Sequence, residues 1–539
     1  MFSSVVNLFN NIALAPESRK VKKYLDEATC DSVTADLGQV LAPRLSGWRE
    51  RELLQATFDK YCIEDSSQNK YWDEGSFRKH IRSGHPIAAI SDDAIRLLWR
   101  SFHFYAYHPF PRRLQDAKLD FDAFRRAALL TVFQCDGLLG TRELDWFWRN
   151  DATFFRRASF ARIFRSIATP QSTHLAESGE QQDDVEPLVS DASDVLVMVG
   201  PQFMHAMPST ELLDLTARRL LAGGPTVARR AVSPEEVSTL MSLLLRTKLG
   251  KNKWGSFYHH GSVAEANPAD EGLIEALVDS LTQKSERAMT SEHFLEAVNL
   301  LPNLQLRYHQ LWAVLFQPAG TTGEAESSRA SEAALGHITG AISLFVPHVE
   351  IEDGHQSVHK HDTLATLEEV QALSGPQDMT IFRLARDLSD RHSGYVVLFT
   401  AEAVATTPKA TIGAYFPGES RGTDAHILFQ LQPRFRLLRW KRPNLPLSDL
   451  IRTERENIRL GELVANGHPQ PSDATYWIGD SAGQGAGIRI DHERKTVTLT
   501  SGDGQCYMDG QQGVRNWDVT IQSARMDIFK VVGAVDHKA

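Results

Sequence analysis

The sequence has no run of about 18 or more uninterrupted apolar residues, so no membrane-spanning helix is expected. Cysteine is scarce, with four in 539 residues. Cys30, Cys62, Cys135 and Cys506 lie far apart and form no C-x-x-C pair, which suits a reducing compartment and argues against a zinc ribbon or a disulfide framework. A basic excess is missing too. The 58 Lys and Arg against 68 Asp and Glu leave a formal charge of -10, the wrong sign for a protein held to nucleic acid by phosphate contacts. The opening Met1-Phe2 lacks the glycine that N-myristoylation needs. Residues 1–24 carry no acid before Glu17 and gather Arg19, Lys20, Lys22 and Lys23 at their end. A mitochondrial presequence spreads its basic residues through an amphipathic helix, so an ordinary amphipathic first helix in a cytoplasmic protein is the expectation.

What is present is ordinary in bulk, with 42% hydrophobic and 23% charged residues. The length exceeds what one core supports, so roughly two to four domains are expected. Residues 1–170 read as a helical domain rich in aromatics. Trp48, Leu53, Leu54, Phe58 and Tyr61 recur at helical spacing and give one apolar face. Then comes Asp65-Ser66-Ser67-Gln68-Asn69-Lys70-Tyr71-Trp72-Asp73-Glu74-Gly75-Ser76-Phe77. Against the calcium-loop template, Asp65, Ser67, Asn69 and Asp73 fall on ligand positions one, three, five and nine, with Trp72 as the central apolar residue. Lys70 stands where a glycine makes the sharp turn, and Ser76 where a bidentate Glu is needed. A weaker echo lies at Leu119-Asp120-Phe121-Asp122-Ala123-Phe124, where aligning Leu119 with Trp72 sets Phe124 opposite Phe77. Arg112, Arg113 and Leu114 before it cannot bind a cation. The expectation is a degenerate EF-hand-like pair that keeps its packing without metal; a calcium-responsive EF-hand adaptor is the alternative.

Residues 171–192 are polar and acidic, as expected of a linker or loop. Residues 193–320 read as a second helical domain, with amphipathic stretches at 237–249, 273–281 and 294–316. Ser233-Pro234-Glu235-Glu236 is a helix start, Ser capping and Pro in the first turn. Residues 320–331 are small and polar, a loop. From Gly336 the pattern turns to short strands: Ala341-Ile342-Ser343-Leu344-Phe345-Val346-Pro347, Tyr395-Val396-Val397-Leu398-Phe399, Ala410-Thr411-Ile412-Gly413-Ala414-Tyr415-Phe416, and His426-Ile427-Leu428-Phe429-Gln430-Leu431-Gln432-Pro433. Near the end stand Tyr476-Trp477-Ile478-Gly479-Asp480-Ser481, glycines 483, 485 and 487, Ile488-Arg489-Ile490-Asp491, Thr496-Val497-Thr498-Leu499-Thr500, and Met526-Asp527-Ile528-Phe529-Lys530-Val531-Val532-Gly533. Alternation at period two, punctuated by Gly and Asp, signals half-buried strands joined by tight turns.

Four features suggest enzyme, cofactor or metal chemistry. Gly418-Glu419-Ser420-Arg421-Gly422 fits the G-x-S-x-G elbow, which needs a strand before it and a helix after it; a strand-like run follows instead, so a hairpin turn is expected. His355, His359 and His361, with Glu350, Glu352 and Asp353, could chelate a metal if a regular backbone fixed them; none is patterned there, and a solvated loop is expected. Glycines 483, 485 and 487 precede strand alternation, whereas a dinucleotide site needs a helix and a later acid. Cys506 stands in a turn-rich stretch with no identifiable cation or helix N-terminus to activate it. The expected site list is therefore empty: no catalytic, cofactor-binding or metal residue, no cofactor, and no enzyme.

The order of strand segments from Tyr395 to Gly533, above all the Gly-Ala-Tyr/Phe strand, the Leu-Phe-x-Leu-x-Pro strand and the Tyr-Trp-Ile-Gly-Asp opening, resembles the TLDc domain over residues 336–537. The family's usual Trp-x-Leu-Leu-Tyr-Ser opening has Thr380-Ile381-Phe382-Arg383-Leu384-Ala385 in its place, and its Glu-Val-Trp ending has Asp527-Ile528-Phe529. The layout is similar to the fungal restriction of telomere capping proteins, which join an EF-hand-like helical half to a C-terminal TLDc domain. The resemblance implies an α+β multidomain chain ending in an antiparallel β-sandwich with flanking helices. It also implies a regulatory, non-enzymatic role, binding the peripheral sector of the vacuolar-type proton ATPase and modulating its assembly or the oxidative stress response. Localisation would be cytoplasmic, at most peripheral at the vacuolar membrane.

Overall fold

A computed structural model describes residues 16–45, 48–112, 114, 118–140, 152–170, 185–203, 206–222, 230–254, 258–282, 288–318, 330–346, 366–369, 379–380, 384, 394–401, 409–417, 426–441, 450–454, 459, 475–479, 485–502, 507–509 and 517–532. The chain is α+β, with antiparallel sheets in its C-terminal half. It divides into two compact units. One comprises Met1–Glu265, Glu286–Val298 and Gln305–Ser327; the other comprises Ala266–Ser285, Asn299–Leu304 and Ser328–Ala539. Among the described residues, no helix is long and apolar enough to cross a membrane.

The first unit runs α1 (residues 16–27), α2 (Cys30–Leu41), α3 (Trp48–Tyr61), β1 (Ile63–Glu64), β2 (Lys70–Tyr71), α4 (Glu74–Gly84), α5 (Asp92–Ala106), α6 (Phe121–Thr131), α7 (Ala152–Ile167), β3 (Thr169–Pro170), α8 (Val185–Val199), α9 (Thr210–Leu221), β4 (Arg230–Ala231), α10 (Pro234–Arg246), β5 (Thr247–Trp254) and β6 (Tyr258–Val263). Helices α12 (Ser291–Leu300) and α13 (Leu304–Leu315) lie almost wholly in this unit, while α11 (Glu271–Thr282) and α14 (Ala330–Ser343) fall in the second. Their starts are written locally. Thr29, Asp73, Ser91, Asp120, Ser209 and Ser233 each accept a hydrogen bond from an amide of the first turn, and the expected start at Ser233 closes a full capping box with Glu236. Helix α5 packs on α6, α7 and α10, and α8 on α2 and α9. Phe77, Phe102, Phe124 and Trp312 are fully buried at their centre.

The second unit holds β7 (Thr366–Glu369), β8 (Gly394–Ala401), β9 (Ala410–Phe416), β10 (Ile427–Gln432), β11 (Arg436–Trp440), β12 (Ile451–Thr453), β13 (Thr475–Gly479), β14 (Gly487–Asp491), β15 (Thr496–Thr500), β16 (Tyr507–Asp509), β17 (Asp518–Ile521) and β18 (Arg525–Val532). Seven strands form one sheet in the order β16-β11-β10-β9-β8-β18-β7, and five form another in the order β12-β13-β14-β15-β17. Every described pairing is antiparallel. After β15 the chain alternates between the sheets, β16 and β18 joining the larger and β17 the smaller. Val397, Phe399, Ile412 and Leu428 of the larger sheet share one core with Ile478, Ile488, Val497 and Leu499 of the smaller. The larger sheet is buried on its other face as well, where α11 packs on β10 and Phe345 meets the Phe429 ring at 5.1 Å. That is why β8, β9 and β10 are buried along nearly their whole length, Gln430 and Gln432 of β10 included, while β15 alternates.

Four expectations are corrected. The segment expected as a strand over 341–347 is none in its described residues: 341–343 form the last turn of α14 and 344–346 a turn after it, and Pro347 lies outside the described residues. A short buried apolar run satisfies either period, and here the alanine-rich residues before it carry the helix. The acidic stretch 171–192 is not all linker, because α8 begins at Val185 and buries Leu188, Val189, Asp191 and Ala192; residues 171–184 lie outside the described residues. The helix expected over 237–249 stops at Arg246, and the chain enters the β5–β6 hairpin within a region expected to be all helical. Helix α11, expected in a helical domain 193–320, falls in the second unit.

Candidate functional site

The loop matched to the calcium template is a tight hairpin tip. Glu64 pairs with Lys70 and Ile63 with Tyr71. The sharp turn falls at Gln68, whose φ of 64 puts it in the left-handed region, two residues before the template position of Lys70. Asp65 closes the tip: its Oδ1 accepts the amides of Ser67 at 2.8 Å and Asn69 at 3.0 Å. The Asn69 amide, followed by that of Ser67, holds this carboxyl below its ordinary range. Asp73 is committed to its helix, its Oδ1 accepting the Ser76 amide at 2.8 Å. The Lys118 ammonium lies 4.5 Å from the Tyr71 ring centre and adds positive charge near Asp65. Both candidate carboxylates therefore serve backbone amides of their own turns, beside a cation the chain supplies. Among the described residues, no three His, Cys, Asp or Glu side chains are grouped to hold a metal ion.

The two loops are joined through their central residues. The Trp72 and Leu119 amides each donate to the other's carbonyl at 2.8 Å. A second bridge of the same kind joins Val232 and Met289, at 3.1 and 2.8 Å. The residue after each bridge opens a helix, and the apolar residue five positions past the bridge is fully buried in all four cases: Phe77, Phe124, Val237 and Phe294. The first pair was visible in the sequence. The second carries no acidic loop, and only its apolar–cap–apolar spacing could have pointed to it.

A buried ionic cluster went unnoticed in the sequence. Arg162 on α7 donates to Asp136 through Nε, and its Nη1 lies 3.4 Å from Asp191 of α8, while Arg165 donates to the same Asp191. Ser159 completes the contacts of Asp136. Burial pushes the Asp136 carboxyl up, but Arg162, His309 and Ser159 outweigh it and keep the acid below its ordinary range. Two buried acids matched by two guanidiniums make a structural tie. The available signal was weak: Arg162 and Arg165 stand about one helical turn apart and alternate with Phe160, Ile163 and Phe164, in a helix that carries two further arginines, Arg156 and Arg157.

In the second unit the outer face of the five-stranded sheet is its polar, part-exposed side. The register aligns Arg452, Trp477, Arg489, Thr498 and Thr520 in one row across all five strands. Arg489 grips Glu454 as a fork, Nε to Oε1 at 2.8 Å and Nη2 to Oε2 at 2.9 Å. A Cβ added at Gly487 would lie 2.5 Å from the Trp477 ring, so that glycine makes room for the indole. Gly487 thus belongs to the β13–β14 hairpin, with a strand and no helix after it. Ser420, His355, His359, His361, Gly483 and Cys506 lie outside the described residues. The next described element after Ser420 is β10, paired antiparallel with β9, and not the helix that a nucleophile elbow requires.

No protein-family model matches this chain, and no curated protein is significantly similar to it.

Proposed function

We propose that the chain is a non-enzymatic regulatory protein of the TLDc type, whose C-terminal sandwich docks on the peripheral sector of the vacuolar-type proton ATPase and modulates its assembly or the response to oxidative stress. The observation that carries this reading is the common home of the segments behind the resemblance. Tyr395-Val396-Val397-Leu398-Phe399 lies on β8, the Gly-Ala-Tyr/Phe run on β9, the Leu-Phe-x-Leu-x-Pro run on β10, and the four late segments on β13, β14, β15 and β18, all in one two-sheet core. The row of Arg452, Arg489, Thr498 and Thr520 leaves two guanidiniums and two hydroxyls part-exposed or exposed on one face, while Trp477 between the arginines is buried; arginine is among the residues enriched where proteins bind one another. The Trp72–Leu119 pairing of two helix–loop–helix hairpins supports an EF-hand-like first unit that keeps its scaffold without a full set of cation ligands.

The test is capture of the purified peripheral sector by the full chain, compared with an Arg452→Glu/Arg489→Glu variant. The reading requires enrichment by the parent chain and its loss in the variant. Equal background capture by both would remove it.

A further inference from the structure

Helix α13 lies deep in the first unit, far along the chain from the loops whose helices it meets. Its Trp312 ring sits 6.2 Å from Phe77 of α4 and 5.6 Å from Phe102 of α5. One residue past the helix, Phe316 stacks on Phe102 at 5.4 Å and reaches His80 of α4 at 4.6 Å and Phe124 of α6 at 6.2 Å. Polar groups fix the helix along its length. Arg307 Nη2 donates to the carbonyls of Leu244 and Thr247, both at 2.7 Å. The Tyr308 hydroxyl meets Ser101, and His309 Nδ1 donates to the Thr131 carbonyl at 2.7 Å. Gln317 mimics a strand residue, accepting the Gly261 amide at 2.9 Å and donating to the Gly261 carbonyl at 2.8 Å.

In a cation-gated pair of helix–loop–helix hairpins, the ion draws the helices apart and exposes an apolar groove that an amphipathic helix then fills. In this chain the loop carboxylates are occupied by amides, yet the space between α4, α5 and α6 holds two aromatic rings, Trp312 of α13 and Phe316 just past its end. We propose that α13 is a ligand helix supplied in cis: it takes the place of an exchangeable target helix and holds the α3–α6 hairpins open without an ion. An apolar groove left empty would expose Phe77, Phe102 and Phe124 to water, so aromatic burial does the work that ion coordination does elsewhere. The proposal concerns the first unit alone and stands apart from any docking by the second.

Amide hydrogen exchange on the full chain tests it, read at Trp72 and Leu119, whose amides span the two loops. Truncating Phe316→Ala should speed exchange there on the order of a hundredfold, and Phe316→Leu should do so by less. A synthetic peptide of residues 304–318 added to Phe316→Ala should restore protection, while a scrambled peptide should not. Calcium or a chelator should leave the parent chain unchanged. Three results would overturn the proposal: calcium-dependent protection in the parent chain, loop amides unaffected by Phe316→Ala, or loss of protection spread evenly over the unit in both variants with no rescue by the peptide.

Discussion

The indole of Trp477 covers Gly487 so closely that a Cβ there would meet ring atoms at 2.5 Å. The two residues lie on adjacent strands of one hairpin, and the close approach leaves room for hydrogen alone. Gly487→Ala should therefore destabilise the second unit by about 1–3 kcal/mol, the range for overpacking a filled site. Chemical denaturation of the full chain measures this. In a Trp477→Ala background the same substitution should cost far less, since its clash partner is gone.

Gly413 predicts the same effect on the other sheet. A Cβ there would fall 2.4 Å from the Phe429 ring and 2.8 Å from the Val397 carbonyl, a backbone atom that cannot rotate away. Gly413→Ala should destabilise at least as much as Gly487→Ala. A smaller loss would mean that Phe429 has another rotamer to adopt.

Removing Asp136 strips Arg162 of its closest partner in a site where both side chains are at most 1% exposed. Asp136→Ala should destabilise the first unit by about 3–5 kcal/mol, because a buried charge is left uncompensated. Adding Arg162→Met should recover much of the loss. If the single variant lies within about 0.5 kcal/mol of the parent, as surface changes do, the tie is unimportant.

Acid should weaken the first unit before it reaches the usual carboxylate range. Burial pushes His80 down to about 3 and His103 and His108 to about 4, against about 6.5 for an unfolded histidine. Above that value both states are neutral. As pH falls from about 6.5 toward 4 the unfolded chain takes up protons that the folded chain refuses, so stability falls with pH by about 1.4 kcal/mol per unit per histidine. Urea midpoints between pH 7 and 4.5 should trace this slope, and His80→Phe should flatten it. A level profile would contradict neutral burial of these rings.

Titration calorimetry with calcium should give no heat at the Asp65 loop, because its carboxylate is held by the Ser67 and Asn69 amides. Heat that disappears in Asp65→Ala would favour a calcium-responsive adaptor instead.

Much of the C-terminal architecture was legible in the sequence. The period-two runs at β14 and β15 and the apolar runs at β8, β9 and β10 each announced a strand, because side chains alternate across a pleat and a sheet buried on both faces needs none of that alternation. The first loop pair was legible because Trp72 and Leu119 precede capping aspartates at the same offset from Phe77 and Phe124. The segment around Ile342 was misread because five apolar residues satisfy a strand and a helix end equally. The start of α8 was not legible because Asp183, Asp184 and Glu186 around it read as a solvated acidic run, while the Leu188, Val189 and Ala192 that it buries find their neighbours only in the fold.

Local chemistry in the chain itself determined where helices begin, where strands alternate and which turns need glycine, since these depend on neighbours within a few residues. Tertiary structure alone decided that Arg162 finds Asp191, that α13 fills the space between α4, α5 and α6, and that Arg452, Trp477 and Arg489 share one row. Those contacts join residues tens to hundreds of positions apart, and no local pattern records which distant side chain will complete a buried charge or cover an aromatic groove.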